Sequence, residues 1–306
     1  MPRMPLLHPQ LEAFLAVLDE GSFERAAKRL AVTPSALSQR IRALEERLGA
    51  VLLKCESPVM PTEAGEKLLL RARSMQLLEA EALSDFAKDA PADAAVRLTI
   101  IVNNDSLATW FPEAAAEFVS ASAETGTRVA LDIRTDDQDH ALEILRSGAA
   151  IAAVAADESA VAGARVRSLG VMRYRAWASR AFIGEAGGIS ASTLARLPIV
   201  SFDRKDALQM RFLERSGVAA ADFSGVVHYL PSPSAMLEAT ARGLGWSMAP
   251  EALARPYVER GALVEIDAAR PVDVPLFWQC AAIRSSLLER LTRIVMRTAQ
   301  KHLLPG

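Results

Sequence analysis

The sequence predicts an α/β protein that begins with a winged helix-turn-helix, continues through a long helix and ends in a larger unit of alternating strands and helices. Three observations predict it. From about residue 8 to 88 the pattern is almost wholly helical, with one interruption near 51–61. Inside that stretch, two short-turn-linked helices carry start and stop signals. From Val96 onward, β-prone runs alternate with helical ones, the order that gives α/β layers with mostly parallel sheets.

The first helix of the pair spans Ser22 to Leu30. Phe23, Ala26, Ala27 and Leu30 fall at i, i+3, i+4 and i+7, one buried face. Ser22 can cap it. The two alanines are small enough to let another helix cross closely, and Ala31-Val32 make a tight turn. Thr33-Pro34-Ser35 then supplies an N-cap and a proline at the first helical position. This second helix stops at Gly49. Its apolar face is Leu37, Ile41, Leu44 and Leu48, and its polar face is Ser35, Ser38, Gln39 and Arg42. Such a pair is a helix-turn-helix.

The net charge of the whole chain is only -2, so nucleic-acid binding needs a local patch. Between Gly21 and Lys54 stand seven bases (Arg25, Lys28, Arg29, Arg40, Arg42, Arg47, Lys54) against three acids (Glu24, Glu45, Glu46), a local charge of +4. Arg25, Arg29 and Lys54 can neutralise phosphates, while Ser38, Gln39 and Arg42 can reach base edges. The alternative is a solvated charged face. Val51-Leu52-Leu53 and Val59-Met60 can pair as a small wing, and Thr62 caps a helix from Glu63 to about Lys88. That helix carries Leu68, Ala72, Met75, Leu78, Ala82 and Phe86 near a 3.6 period, a stripe to be covered by a second copy or by its own chain.

In the remainder, strands are expected at Val96–Val102, Val129–Thr135, Ile151–Ala155, Arg173–Ala178, Ile199–Phe202, Val226–Leu230, Leu263–Ile266 and Pro275–Ala281. Helices are expected near 106–120, 138–147, 206–216 and 234–243. Trp110, Trp177, Trp246 and Trp278 lie in apolar runs and read as core. Gly243-Leu244-Gly245 reads as a turn, not a phosphate loop. The 306 residues, 51% hydrophobic and 24% charged, suit two or three packed units and exclude a disordered chain. Cys55 and Cys280 form no CxxC, so neither a zinc motif nor a disulfide framework is expected. No secretory signal and no apolar run of about 20 residues is present, so a cytoplasmic protein without membrane contact is expected. GxSxG, HExxH and P-loop motifs are absent and histidines number four, which argues against an α/β enzyme carrying a DNA-binding module. No cofactor or metal is expected.

The run FERAAKRLAVTPSALSQRIRALEERLGAVLLK followed by PTEAGEKLL resembles the DNA-binding domain and linker helix of LysR-type transcriptional regulators. The likeness is dense over 8–88 and weaker beyond. Within that family, SFERAAKRL with SQRIRALE, and VNNDSLATWFPEA with DDQDHALEILRSG, resemble the ArgP/LysG (IciA-like) branch, whose members are sensors of basic amino acids that activate an exporter of lysine or arginine. The resemblance implies a DNA-binding domain at 1–61, a dimerising linker helix at 62–90 and an effector domain at 91–306. That domain would be periplasmic-binding-protein-like, with lobe one at 95–167 plus 272–306, lobe two at 168–271, and two hinge strands between. It places Thr33, Ser35, Ser38, Gln39 and Arg42 on DNA. At the wing Lys54 stands where the family has Arg, and the wing offers no further base. Partners implied are double-stranded DNA at a pseudo-palindromic operator, a lysine or arginine effector, a homodimer or tetramer, and RNA polymerase. The alternatives are a LysR-type regulator of another small-molecule pathway, or an architectural DNA binder without effector.

Ligands of such folds sit at the carboxyl ends of strands and the starts of helices. Three junctions qualify: Asn104-Asp105-Ser106, Phe202-Asp203 and Ser232 to Ser234. A ligand carboxylate would rest near Ser106 or Ser234. Asp105, Asp137, Asp139 and Asp203 are the acids for an ammonium or guanidinium, and Phe202 is an apolar wall. Asp105, Ser106 and Asp137 also read as helix-start residues. His140, beside Asp139, reads as a surface residue rather than a metal ligand.

Overall fold

The computed structural model describes residues 7–54, 56–84, 95–135, 143–159, 163–186 and 189–306. Cys55, Phe86, Asp137, Asp139, His140 and most of the junction around 88–95 lie outside the described residues.

Three helices open the chain: α1 (Pro9–Glu20), α2 (Phe23–Arg29) and α3 (Pro34–Leu48). The expected caps form. Ser22 Oγ accepts from the Arg25 amide at 3.4 Å and Thr33 Oγ1 from the Ala36 amide at 3.2 Å. Gly21 and Gly49 close α1 and α3 in the left-handed region. Ala26 and Ala27 are 0% and 1% exposed, so α2 lies close against its neighbours around Phe14, Leu37 and Ile41. One residue of the expected α3 face is corrected: Leu48 is 50% exposed, because the last turn of α3 has passed the end of the core.

The wing is β1 (Leu53–Lys54) and β2 (Met60–Pro61), with Leu53 opposite Pro61 and Lys54 opposite Met60. It starts later than expected, and Val51 stays out of it. The reason is competition for backbone groups: Glu45 Oε1 accepts from the Leu52 amide at 2.7 Å, and Thr62 Oγ1 donates to the Val51 carbonyl at 2.7 Å. Thr62 also caps α4 (Glu63–Ser84), accepting from the Gly65 amide.

The expected apolar stripe of α4 is split. Leu69, Ala72 and Leu77 are buried on the protein's own chain, whereas Met75 and Leu78 are 53% and 43% exposed and Ala82 is exposed. Polar contacts explain the docked side. Arg73 pairs with Asp19 of α1, Glu79 accepts from the Leu7 amide at 2.8 Å, and Glu81 accepts from the Leu287 amide at 2.7 Å. Gly148 also matters: its φ is +77°, and a Cβ there would lie 2.4 Å from Leu70 Cα. Only glycine lets the α/β unit approach α4 so closely.

The strands of that unit are β3 (Val96–Val102), β4 (Val129–Arg134), β5 (Ala152–Ala155), β6 (Ala164–Ala178), β7 (Ile199–Ser201), β8 (Val227–Tyr229), β9 (Trp246–Pro250), β10 (Val264–Glu265) and β11 (Val272–Ala281). They run in the order β4-β3-β5-β11-β6-β9-β7-β8, with β10 also on β6. Parallel pairing holds within each half, β3 with β4 and β5, and β7 with β8 and β9. The halves are joined by the antiparallel pair β6 and β11. Both are longer than expected. The arginines and Gly170 in Ala164–Met172 hide the strand pattern, and Pro275 sits inside β11.

The helices of the unit are α5 (Asn104–Ala108), α6 (Phe111–Glu124), α7 (Arg180–Glu185), α8 (Ala191–Leu194), α9 (Leu208–Arg215), α10 (Pro233–Ala241), α11 (Glu251–Glu259) and α12 (Ser286–His302). The single helix expected near 106–120 breaks in two where Trp110 turns into the core. α12 is not among the expected helices, although Leu287, Leu291, Ile294, Val295 and Thr298 form one buried face. All four tryptophans are core, none more than 4% exposed. No described helix is long and apolar enough to cross a membrane.

Candidate nucleic-acid interface and ligand pocket

The polar face of α3 is presented outward. Ser35, Gln39 and Arg42 are exposed, and Ser38 is half-buried with its hydroxyl donating to the Pro34 carbonyl at 2.9 Å. Lys54 is exposed on the wing. An exposed helix face of hydroxyl, amide and guanidinium groups, flanked by cations, has the dimensions and chemistry to enter a major groove. Arg25 turns back to the Glu20 carbonyl.

Arg29, expected on phosphate, is committed elsewhere. Its guanidinium lies 2.9 Å from Asp19 and 3.3 Å from Glu20. Burial alone would push the Asp19 carboxyl up, but Arg73 and then Arg29 outweigh it and hold it below the usual carboxylate range. Asp19 therefore ties the helix-turn-helix to α4, and Arg29 serves that joint.

Between the two halves of the sheet lies a cavity of about 270 Å³. It opens where β3 and β7 end, as the strand-end rule requires. Asn104 and Asp105 come from α5, Phe202 and Asp203 from the loop after β7, Pro233 from the start of α10, Tyr174 from β6 and Val274 from β11. Of the expected residues, Asn104, Asp105, Phe202 and Asp203 line it together. Ser106 does not: it is 0% exposed, beneath the floor, with its hydroxyl unpartnered among the described residues. Ser232 and Ser234 are exposed and outside the lining, and Ser232 caps α10 by accepting from the Ala235 amide. Asp105 is not a cap either; Asn103 holds that position.

Tyr174, Asp206, Lys205 and Arg211 also line the cavity, and none of them is among the expected residues. Tyr174 donates to Asp105 Oδ2 at 2.7 Å across 69 positions of sequence. Asp206 is fixed by four donors: Leu208 N on Oδ1, and Ser201 Oγ, Phe202 N and Gln209 Nε2 on Oδ2, all within 3.2 Å. Its position two residues before α9 was the available signal, that of a helix-start aspartate. Asp203 Oδ1 accepts from the Lys205 and Asp206 amides. Asn103 Oδ1 at the pocket wall is buried without a partner among the described residues.

Three carboxylates thus converge, Asp105 from one half of the sheet and Asp203 and Asp206 from the other. Burial pushes the Asp105 carboxyl up to about 6; the Tyr174 hydrogen bond works against this, and the Asp206 charge adds to it. Burial, and then the Asp105 charge, push the Tyr174 phenol well above its ordinary range, so it remains a donor. The arrangement favours a cation between the carboxylates. Lys205 also lines the cavity, and Arg211 there brings a guanidinium suited to a ligand carboxylate.

Two family models match the chain: the bacterial regulatory helix-turn-helix protein, lysR family, over residues 8–66, and the LysR substrate binding domain over 92–303. The lysine export transcriptional regulatory protein LysG of Corynebacterium glutamicum is 38% identical over 296 residues, covering 97% of this chain and 99% of that one. The crystal structure of ArgP from Mycobacterium tuberculosis superposes with a TM-score of 0.81 at 37% identity, covering 98% of this chain and 100% of that one. Full-length LysG from Corynebacterium glutamicum with bound effector Arg superposes with a TM-score of 0.75 at 36% identity, with the same coverage.

Asp105 couples the fold to pH. Its folded value lies above the unfolded one, so the group disfavours the fold above about pH 6 and ceases to do so as pH falls toward 4. Asp105→Asn, which can still accept from Tyr174, should unfold a few degrees higher than the parent at pH 7.5 in the absence of ligand. The difference should vanish near pH 4 in a calorimetric melt.

Proposed function

Because the chain belongs to the LysR family of bacterial regulatory helix-turn-helix proteins, we propose that it is a sequence-specific DNA-binding transcriptional regulator whose effector is a basic amino acid, arginine or lysine, and whose target is an amino-acid exporter gene. One observation carries the effector assignment: three aspartates meet at a cavity that Arg211 also lines. A basic amino acid carries two cationic groups and one carboxylate, and this lining complements all three. The LysG structure that holds Arg shares this fold over almost its whole length.

In this reading the DNA-binding domain is 1–61, the linker helix 62–90 and the effector domain 91–306. Lobe one is 95–167 with 272–306, and lobe two is 168–271. Ser35, Ser38, Gln39 and Arg42 read bases from a helix that Thr33 starts, while Arg25 and Lys54 approach phosphates. The exposed Met75, Leu78 and Ala82 of α4 support a homodimer through the linker helix, which would present two recognition helices to a pseudo-palindromic site. Effector binding favours one lobe arrangement and so one presentation of the pair.

Calorimetry at pH 7.5 should show one arginine or lysine per chain, and Asp105→Asn should weaken that binding at least tenfold. Absence of heat with either amino acid would remove the effector assignment. Arg42→Ala should relax base preference at one operator position, a loss of about 1–3 kcal/mol in gel shifts at fixed salt; unchanged operator binding would move the recognition surface elsewhere. Leu78→Glu should sediment as a smaller species than the parent, and an unchanged mass would place the dimer contact off α4.

A further inference from the structure

The half of the α/β unit that contains α6 and α12 carries a second cavity, of about 480 Å³, which shares no lining residue with the first. It lies between α12 and the ends of β6 and β11. Its floor is largely apolar: Cys280, Leu288 and Met296. Thr292 is fixed in that floor, accepting from Trp278 Nε1 at 3.1 Å and reaching Cys280 Sγ at 3.8 Å.

The rim is cationic. Arg165 and Arg167 stand two apart on β6, on one side of the strand. Among the described residues their stretch pairs only with β11, at an edge of the sheet. Arg293 and Arg297 stand one helical turn apart on α12. Among the described lining residues, Glu289 is the one carboxylate. Arg297 is held by Glu117. Arg165, Arg167 and Arg293 are exposed and make no ion pair or hydrogen bond among the described residues.

The same strand supplies the contrast. Arg173 pairs with Asp273 at 2.8 Å, and Arg175 pairs with Glu265 at 2.6 Å and Glu251 at 3.0 Å. Thus β6 pairs the arginines that do not face the cavity and leaves those that do. Like charges gathered at a partly enclosed rim repel, and the low-dielectric wall concentrates their field. That field reaches the floor: burial pushes the Cys280 thiol up, and Thr292, Arg167 and Arg165 pull against it. Guanidinium forks match the oxygens of carboxylates and phosphates. The cavity falls in the range that holds small ligands.

We propose that this cavity is a second ligand site, for a small molecule that carries a carboxylate or phosphate on an apolar body. The oxyanion is bound by Arg165, Arg167 and Arg293, and the apolar part lies on Met296, Leu288 and Cys280. Its charge preference is opposite to that of the pocket between the lobes, so the two sites take different ligands.

Calorimetry of the full chain with phenyl phosphate and with phenylacetate, at constant ionic strength, tests the site. Binding of either in the millimolar range or tighter, not displaced by saturating L-arginine, is expected and tells which oxyanion is preferred. Inorganic phosphate should bind more weakly than phenyl phosphate. The triple variant Arg165→Gln, Arg167→Gln, Arg293→Gln should lose at least tenfold in affinity, since each charged hydrogen bond removed is worth about tenfold. All three residues are exposed and their charges repel, so the variant should melt no lower than the parent and should bind arginine as the parent does. Failure of both probes to bind, or equal binding by the triple variant, overturns the proposal.

Discussion

The ladder between β6 and β11 is the constraint on which the α/β unit depends. Ten residues of each strand pair antiparallel, from Val272 opposite Tyr174 to Ala281 opposite Ala164. One end of β11 also pairs with β5, and one end of β6 also pairs with β9, so the same two strands belong to both halves of the sheet. The register shifts between Leu276 and Phe277, opposite Gly170. There Gly170 has φ +120°, and a Cβ would lie 2.5 Å from the Leu304 carbonyl. The chain end bridges Val171 at this point, with paired amide–carbonyl bonds of 2.9 Å. A bulge pinned by a third segment localises bending between two otherwise stiff ladders. Tyr174 and Val274, which line the pocket, stand on these strands, so a ligand there touches the connection between the halves directly.

A second joint connects the helix-turn-helix to the rest. Asp19, 11% exposed, receives Arg29 from α2 and Arg73 from α4. A buried carboxylate between two guanidiniums is costly to break, because removal of one partner leaves a desolvated charge. The joint also explains why the basic patch is less free than its residue count. Arg29 is neutralised within the domain, while Gln39, Arg42 and Lys54 remain exposed. The attachment to α4 thus uses Arg29 and Arg73 and leaves the guanidinium of Arg42 and the ammonium of Lys54 facing solvent.

Asp105 joins the two ends of the pocket's chemistry. Its carboxyl is raised to about 6 chiefly by burial, and Asp206 contributes from across the cavity. Tyr174 keeps its proton and fixes one carboxylate oxygen. A cation seated between Asp105 and Asp206 would relieve both the burial penalty and the repulsion, a differential interaction of the kind that can shift a conformational equilibrium.

Features that depend on neighbours along the chain are legible in the amino-acid order. The caps at Ser22, Thr33 and Thr62, the buried Ala26 and Ala27, the outward Ser35, Gln39 and Arg42, and most strand positions follow from local hydrogen bonding and from periods of 3.6 and 2. Asn104, Asp105, Phe202 and Asp203 were legible because strand ends and helix starts announce themselves locally. Tertiary structure decided what depends on distant partners. It paired Arg29 with Asp19, buried Ser106, and brought Tyr174 to Asp105. It also divided the α4 stripe, since one side of that helix meets α1 and the α/β unit while Met75 and Leu78 stay outside. The physical reason is that desolvation and charge pairing are set by groups far apart in sequence, and no local pattern encodes which of them will meet.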